Sequence, residues 1–184
     1  MSVSAATIRW TYKDYCAIPE DLLRHEILDG DHVVTPAPSI RHQRIVLELA
    51  FALRSHLKRS GIGEVFVSPV DVRLDTHTVV QPDLTVVLER SRATLTEAGI
   101  QGPPDLMIEI LSPSTRARDE DIKHRLYERS GVRSYWRVDL DRDEIVVNDK
   151  DGERFGPAKI WGQEQMLTSA LLPGFELALH ELFV

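Results

Sequence analysis

GPPDLMIEILSPSTRARDEDIKHRLYERSGVRSYWRVD, residues 102–139, reads as strand, helix, strand. DLMIEILS is a short apolar run closed by Pro113, of strand length rather than helix length. Beyond Pro113, DEDIKHRLYERSG spaces Ile122, Leu126 and Tyr127 at helical intervals and stops on Gly131. Ser114, Thr115 or Asp119 is placed to cap that helix. VRSYWRVD then returns as a strand, and DEIVVND follows as another.

Upstream, VFVSP, DVRL and TVVQPDLTVVL are β-branched or leucine-rich runs bounded by turn residues, expected to share one mostly buried sheet with the strands above. Val79, Val80 and the Tyr135-Trp136 pair are expected in its core. Between residues 38 and 60 apolar side chains recur at Ile45, Leu49, Leu53 and Leu57, one face of a helix that Ser39 can cap and Gly61 can end. Residues 24–35, RHEILDGDHVVT, read as a β-hairpin because Asp29-Gly30 supplies the positive φ of a tight turn. The order hairpin, helix, strands, helix, strands predicts a mixed α/β (α+β) fold rather than a regular βαβαβ series. No GxGxxG or GxxxxGK[ST] occurs, so those modes of nucleotide binding have no support.

With 184 residues, 42% of them hydrophobic, and no repeat or Pro/Gly-rich linker, the expectation is one domain over 1–184. The single cysteine, Cys16, excludes an intramolecular disulfide and a cysteine-based zinc site, which moves the search to carboxylates, histidines and lysines. No apolar run reaches the ~20 residues of a membrane span, and MSVSAATIRW lacks the basic and apolar regions of a signal peptide, so a soluble cytoplasmic protein is expected. A net charge of −7 opposes coating nucleic acid by general electrostatics. One segment departs from that balance: Ser114 to Arg137 carries seven Lys/Arg against four Asp/Glu. Its Arg116 and Arg118 are candidates to grip phosphates, unless the charges simply form a solvated, salt-bridged helix face.

Glu109 stands between Ile108 and Ile110 in a strand that otherwise reads as buried. A carboxylate there must hold a cation, join a buried ion pair or keep its proton. Asp83 begins the preceding apolar strand after Pro82. Hard cations such as Mg²⁺ or Mn²⁺ are held by one or two carboxylates plus water and phosphate oxygens, so Asp83 and Glu109 would suffice. Lys123, beside the Ile122 and Leu126 stripe of the following helix, could reach back toward them, or could pair with Asp119 one turn earlier. Glu26 in the hairpin is a further possible ligand, His42 a possible proton shuttle or phosphate donor, and Ser114 a hydroxyl for a phosphate.

These residues resemble the Uma-two family of restriction-endonuclease-like proteins, a branch of the PD-(D/E)XK nuclease superfamily. The likeness runs through RHEILDGDHVVTPAPSIRHQRI, VVQPDLTVV, the 102–139 stretch and LTSALLPGFELAL. The resemblance implies a restriction-endonuclease-like fold, a central mixed β-sheet flanked by helices, and metal-dependent endonuclease activity on DNA. Asp83 matches the PD aspartate, Glu109 the acid of the (D/E)XK strand, and Glu26 a supplementary metal ligand. The superfamily lysine two residues after Glu109 is replaced by Leu111, and Lys123 matches a lysine moved to the next helix. DNA is the implied partner, and a homodimer would let two symmetric sites cut both strands. The alternative is a non-catalytic nucleic-acid-binding or protein-interaction module on the same fold.

Overall fold

The computed structural model describes residues 8–21 and 23–184. The stretch read above for targeting signals therefore lies largely outside the described residues. After a single capped turn, α1 (Tyr12–Tyr15), the hairpin forms as β1 (Arg24–Leu28) and β2 (Asp31–Thr35), with Asp29 and Gly30 both at positive φ. The long helix α2 (Ile40–Ser60) is capped by the Ser39 hydroxyl, which accepts from the His42 amide, and ends on left-handed Gly61. Both boundaries follow from the cap chemistry expected of Ser and Gly.

Next come β3 (Gly63–Val67), β4 (Val72–Asp75), β5 (Thr78–Val80), β6 (Leu84–Leu88), the small hairpin β7 (Thr94–Thr96) and β8 (Gly99–Gln101), and β9 (Leu106–Leu111). A π-helical segment (Arg118–Lys123) runs directly into α3 (His124–Ser130). The chain then forms β10 (Ser134–Asp139), β11 (Glu144–Asp151), β12 (Arg154–Phe155), β13 (Lys159–Gly162), β14 (Met166–Thr168), β15 (Glu176–Ala178) and α4 (Leu179–Leu182). No described helix is long and apolar enough to cross a membrane.

The strands do not share one sheet, as the apolar runs alone suggested. They divide into a six-stranded sheet, ordered β2-β1-β5-β4-β8-β7, and a seven-stranded sheet, ordered β12-β11-β10-β9-β6-β3 with β13 also on β11; β14 and β15 pair separately. Strand length and hydrophobicity cannot distinguish these arrangements, because a strand sandwiched between layers looks alike in either sheet. β9 is the centre of the larger sheet, antiparallel to β6 and parallel to β10, with the π segment and α3 making the crossover.

Alternation along β9 sends its side chains to two cores. Ile108 and Ile110 join Leu84, Val86, Trp136 and the inner face of α2, Ile45, Leu49, Leu53 and Leu57. Met107 faces the other way, with Tyr135 and with Leu126 and Tyr127 of α3, onto Leu28, Val72, Val80 and Ile100 of the smaller sheet. Glu109 shares the parity of Met107 and lies at the end of this second layer. Val79, Val80, Tyr135 and Trp136 are fully buried, as core residues should be.

The helix after β9 departs from the spacing expected of it. Ile122 is 40% exposed while Asp119 and Lys123 are each only 2% exposed. The π segment's i→i+5 bonding widens the turn, so Asp119 and Lys123 face inward where Ile122 was expected, while Leu126 and Tyr127, beyond the segment, are buried as their spacing predicts. None of Ser114, Thr115 and Asp119 caps it; Ala117 occupies the N-cap position without a side-chain bond.

Candidate active site

Where the two layers meet at the end of β9, a cavity of about 350 Å³ gathers Glu26, Asp83, Glu109 and Asp119 with Arg24, Arg118 and Lys123. Antiparallel register explains the central pair: Leu84 faces Ile108, so Asp83 and Glu109 occupy the next rung. Asp83 Oδ2 accepts from the Ile110 amide at 2.8 Å and from His42 Nε2 at 3.1 Å, and Oδ1 accepts from Arg24 Nη1 at 2.9 Å. Burial alone would raise its carboxyl, but the His42 bond, the Arg24 charge and the Ile110 amide outweigh it and hold the group down to about 2.

Glu109 has fewer donors. Lys123 Nζ at 2.9 Å and the Tyr127 hydroxyl at 2.8 Å both donate to Oε1, which leaves Oε2 as the oxygen available to a ligand. Burial, reinforced by the charges of Asp119, Asp83 and Glu26 against that of Lys123, pushes its carboxyl up to about 8. Lys123 Nζ also lies 2.9 Å from Glu26 Oε1 and 3.7 Å from Asp119 Oδ1. Burial disfavours its charge, yet Glu109, Glu26 and Asp119 together hold the ammonium protonated well above the usual lysine range.

Glu26 sits at the same distance from the ammonium as Glu109 but shifts the opposite way. Burial would raise it; Lys123, Arg24 and the Gln81 amide, which donates to Oε1 at 2.9 Å, lower it. Its Oε2 faces the Thr35 hydroxyl at 3.5 Å and Arg118 Nη1 at 4.0 Å. A carboxylate so fully served has less capacity left for a cation than Glu109 has. Asp119 is raised by burial, which Lys123 and a hydrogen bond with Thr115 only partly offset.

Of the residues singled out in the sequence, Asp83, Glu109, Lys123, Glu26, His42, Ser114 and Arg118 line the one cavity. Arg116 does not join them: its guanidinium bonds both oxygens of Asp139 and reaches Asp141 and Glu120. The basic excess of this segment is largely consumed within the chain, with Arg125 on Asp121, Arg129 on Asp29 and Arg133 on Asp105. Sequence reading missed Arg24 and Tyr127 as site residues and weighed Asp119 only as a cap and as a partner for Lys123, which it is at 3.7 Å. Arg24 and Glu26 are two apart on β1 and therefore share a face, and Asp119, Lys123 and Tyr127 are spaced by four, so a signal existed for each.

The donor set suits a hard divalent cation, because Asp83 and Glu109 open on the same cavity and such ions take their remaining ligands from water and phosphate. Among the described residues no three His, Cys, Asp or Glu side chains converge tightly enough to hold a metal by themselves. Any cation would therefore depend on the carboxylate pair and on its substrate.

The family model Uma2, described as "Putative restriction endonuclease", matches residues 12–180. No curated protein matches the chain. Among solved structures, the chain is similar to a crystal structure described as that of "a putative nuclease" from Anabaena variabilis, with a TM-score of 0.79 and 20% identity over 94% of this chain and 97% of that one. At that identity the likeness shows the fold alone, a mixed α/β architecture of restriction-endonuclease-like type.

Proposed function

The chain belongs to the Uma2 family, whose fold is nuclease-like, and from that premise we propose that it is a metal-dependent endonuclease hydrolysing DNA phosphodiester bonds. The observation that carries this reading is the meeting of Asp83 and Glu109 at one rung of neighbouring strands, on a cavity wall, with Lys123 Nζ 2.9 Å from Glu109. Asp83 and Glu109, with water and phosphate oxygens, would hold Mg²⁺ or Mn²⁺, while Glu26 stays on Lys123. Bound there, such a cation would polarise the scissile phosphate and lower the pKa of the attacking water.

The chain's own residues do the rest. His42, Arg24 and the Ile110 amide keep Asp83 ionised and fixed in orientation. Tyr127 holds Glu109 by Oε1, which leaves Oε2 available to a ligand. Lys123, anchored by Glu26, places a permanent positive charge beside Glu109, where it can orient water and oppose the charge that builds on the phosphate. Arg118 and the hydroxyls of Ser112, Ser114 and Thr115 line the approach and can bond phosphate oxygens. Two copies would supply one cut to each strand of a duplex.

Purified protein incubated with supercoiled plasmid, and with linear and single-stranded DNA, in Mg²⁺, Mn²⁺ or EDTA tests the reading. Metal-dependent nicking that disappears in Glu109→Gln and Asp83→Asn is expected. Undiminished cleavage in either variant, or cleavage in EDTA, overturns it. DNA binding without cleavage under all conditions would favour a non-catalytic nucleic-acid-binding module instead.

A further inference from the structure

The cations on α2 stand apart from those after β9. Ile40, Leu47 and Phe51 are 84%, 66% and 69% exposed, although they lie on the longest described helix. At 3.6 residues per turn they fall on one stripe with Arg44, Arg54 and Lys58, opposite the buried Leu49 and Leu53. Glu48 is the helix's single acid, and among the described residues Arg44, Arg54 and Lys58 form no ion pair. The outward face is thus both apolar and cationic on a chain whose net charge is −7.

Charge decides what such a face can receive. Glu64 and Glu89 share a hollow with Arg54 and Lys58, yet a second copy would still set the cations of two such faces against one another, with Glu48 the one acid on each helix to relieve them. A polyanion that also presents flat apolar surfaces has no such conflict. A nucleic-acid strand with unpaired bases is that partner: its phosphates suit the Arg and Lys side chains and its bases can stack on Phe51. The stripe is also continuous with the cavity, because Ser39 and Arg41, on either side of Ile40, are wall residues. From Ile40 to Lys58 it runs about 27 Å, room for several nucleotides.

We propose that the outward face of α2 is a track for single-stranded or locally unpaired nucleic acid leading to the cavity. The contact follows from the face itself; its direction toward a cleavage site rests on the nuclease reading above. Fluorescence anisotropy in EDTA, where no turnover occurs, keeps the two separable. The probes are an oligothymidylate of about 20 nucleotides and a blunt duplex of about the same length.

The wild-type chain should bind the single strand more tightly than the duplex. Replacing the three cations together (Arg44→Gln, Arg54→Gln, Lys58→Gln) should weaken single-strand binding about a hundred-fold at about 0.1 M salt and reduce the log–log salt slope by about 2. Phe51→Ala should cost at least about five-fold on the single strand and little on the duplex. Wild-type affinity in these exposed-site variants overturns the proposal, whatever the plasmid assay gives. So does equal or tighter binding of duplex. Polyglutamate bound as tightly as the oligothymidylate, with no effect of Phe51→Ala, would assign the face to an acidic protein. A wild-type dimer that the triple variant dissociates, with unchanged DNA binding, would assign it to self-association. If α2 variants lose binding while Glu109→Gln still cuts plasmid, the track stands and the placement of the chemistry falls.

Discussion

Two carboxylates on neighbouring parallel strands, Glu109 of β9 and Asp139 of β10, are almost equally buried, at 3% and 2% exposure, and behave in opposite ways. Asp139 is fully served: Arg116 binds both its oxygens, at 2.7 Å and 2.9 Å, and the Asp141 amide adds a third bond at 3.0 Å. Those bonds outweigh burial and hold its carboxyl below the usual range. Glu109 divides one ammonium with Glu26 and Asp119, and its carboxyl is pushed up. Both are shut off from solvent, but desolvation is the largest influence on Glu109, whereas the Arg116 bonds are the largest on Asp139. A structural acid and a candidate site differ here in depth and in the share of donors left unfilled, and that share faces a cavity.

The largest effect that could break this contrast is catalytic. Glu109→Gln should reduce metal-dependent plasmid nicking by about a hundred- to a thousand-fold, the scale seen when one electrostatic stabiliser is removed from an active site. Asp139→Asn should leave nicking readily measurable. Equal losses in the two variants would mean that the contrast has nothing to do with chemistry.

Stability should divide the two clusters in the same order. Lys123→Met strips the shared ammonium from several buried acids at once and should cost about 3–5 kcal/mol in urea unfolding, the range for breaking a buried charge pair. Adding Glu26→Gln to Lys123→Met should recover part of that loss, because Glu26, which Lys123 holds ionised, is a charge left stranded. Asp139→Asn should cost less, about 1–2 kcal/mol, since Arg116 is a quarter exposed and keeps Asp141 and Glu120 as partners. A Lys123→Met chain as stable as wild type would show that the cluster does not depend on its ammonium.

Much of this contrast was legible before any coordinates. Glu109 is conspicuous in sequence because a charge interrupts an apolar run, and Asp83 because a second acid opens the next one. Ser39, Gly61 and Asp29-Gly30 mark their elements because cap and turn chemistry is local. Asp139 gave no such signal, since an acid at a strand end is ordinary. The division into two sheets was illegible because pairing is a long-range choice among similar strands. The inward turn of Lys123 was only half legible: its position on the helix was readable, but a π segment has no residue signature comparable to glycine or proline. The basic excess of residues 114–137 misled by count, because sequence does not say which guanidinium meets which carboxylate.

The smallest expected effect, and the one that isolates the titration, is the pH dependence of stability. Asp83, held at about 2 against an ordinary 3.8, and Asp139, also lowered, contribute stability that is present above pH 3.8 and is lost as pH falls toward their folded values. Glu109 has the opposite sign. Between its ordinary 4.5 and about 8 the folded chain keeps a proton that the unfolded chain has released, so its contribution is complete below pH 4.5 and is lost as pH rises through about 8. The corresponding slope is at most about 1.4 kcal/mol per pH unit. Urea midpoints measured in EDTA from pH 5 to pH 9 should therefore decline for wild type and for Asp139→Asn, and should decline less for Glu109→Gln. Below pH 4 the roles exchange, and Asp139→Asn is the variant whose acid limb becomes shallower. Alkaline limbs that coincide in wild type and Glu109→Gln would place the retained proton elsewhere in the cluster, with Asp119, also raised by burial, the next group to replace.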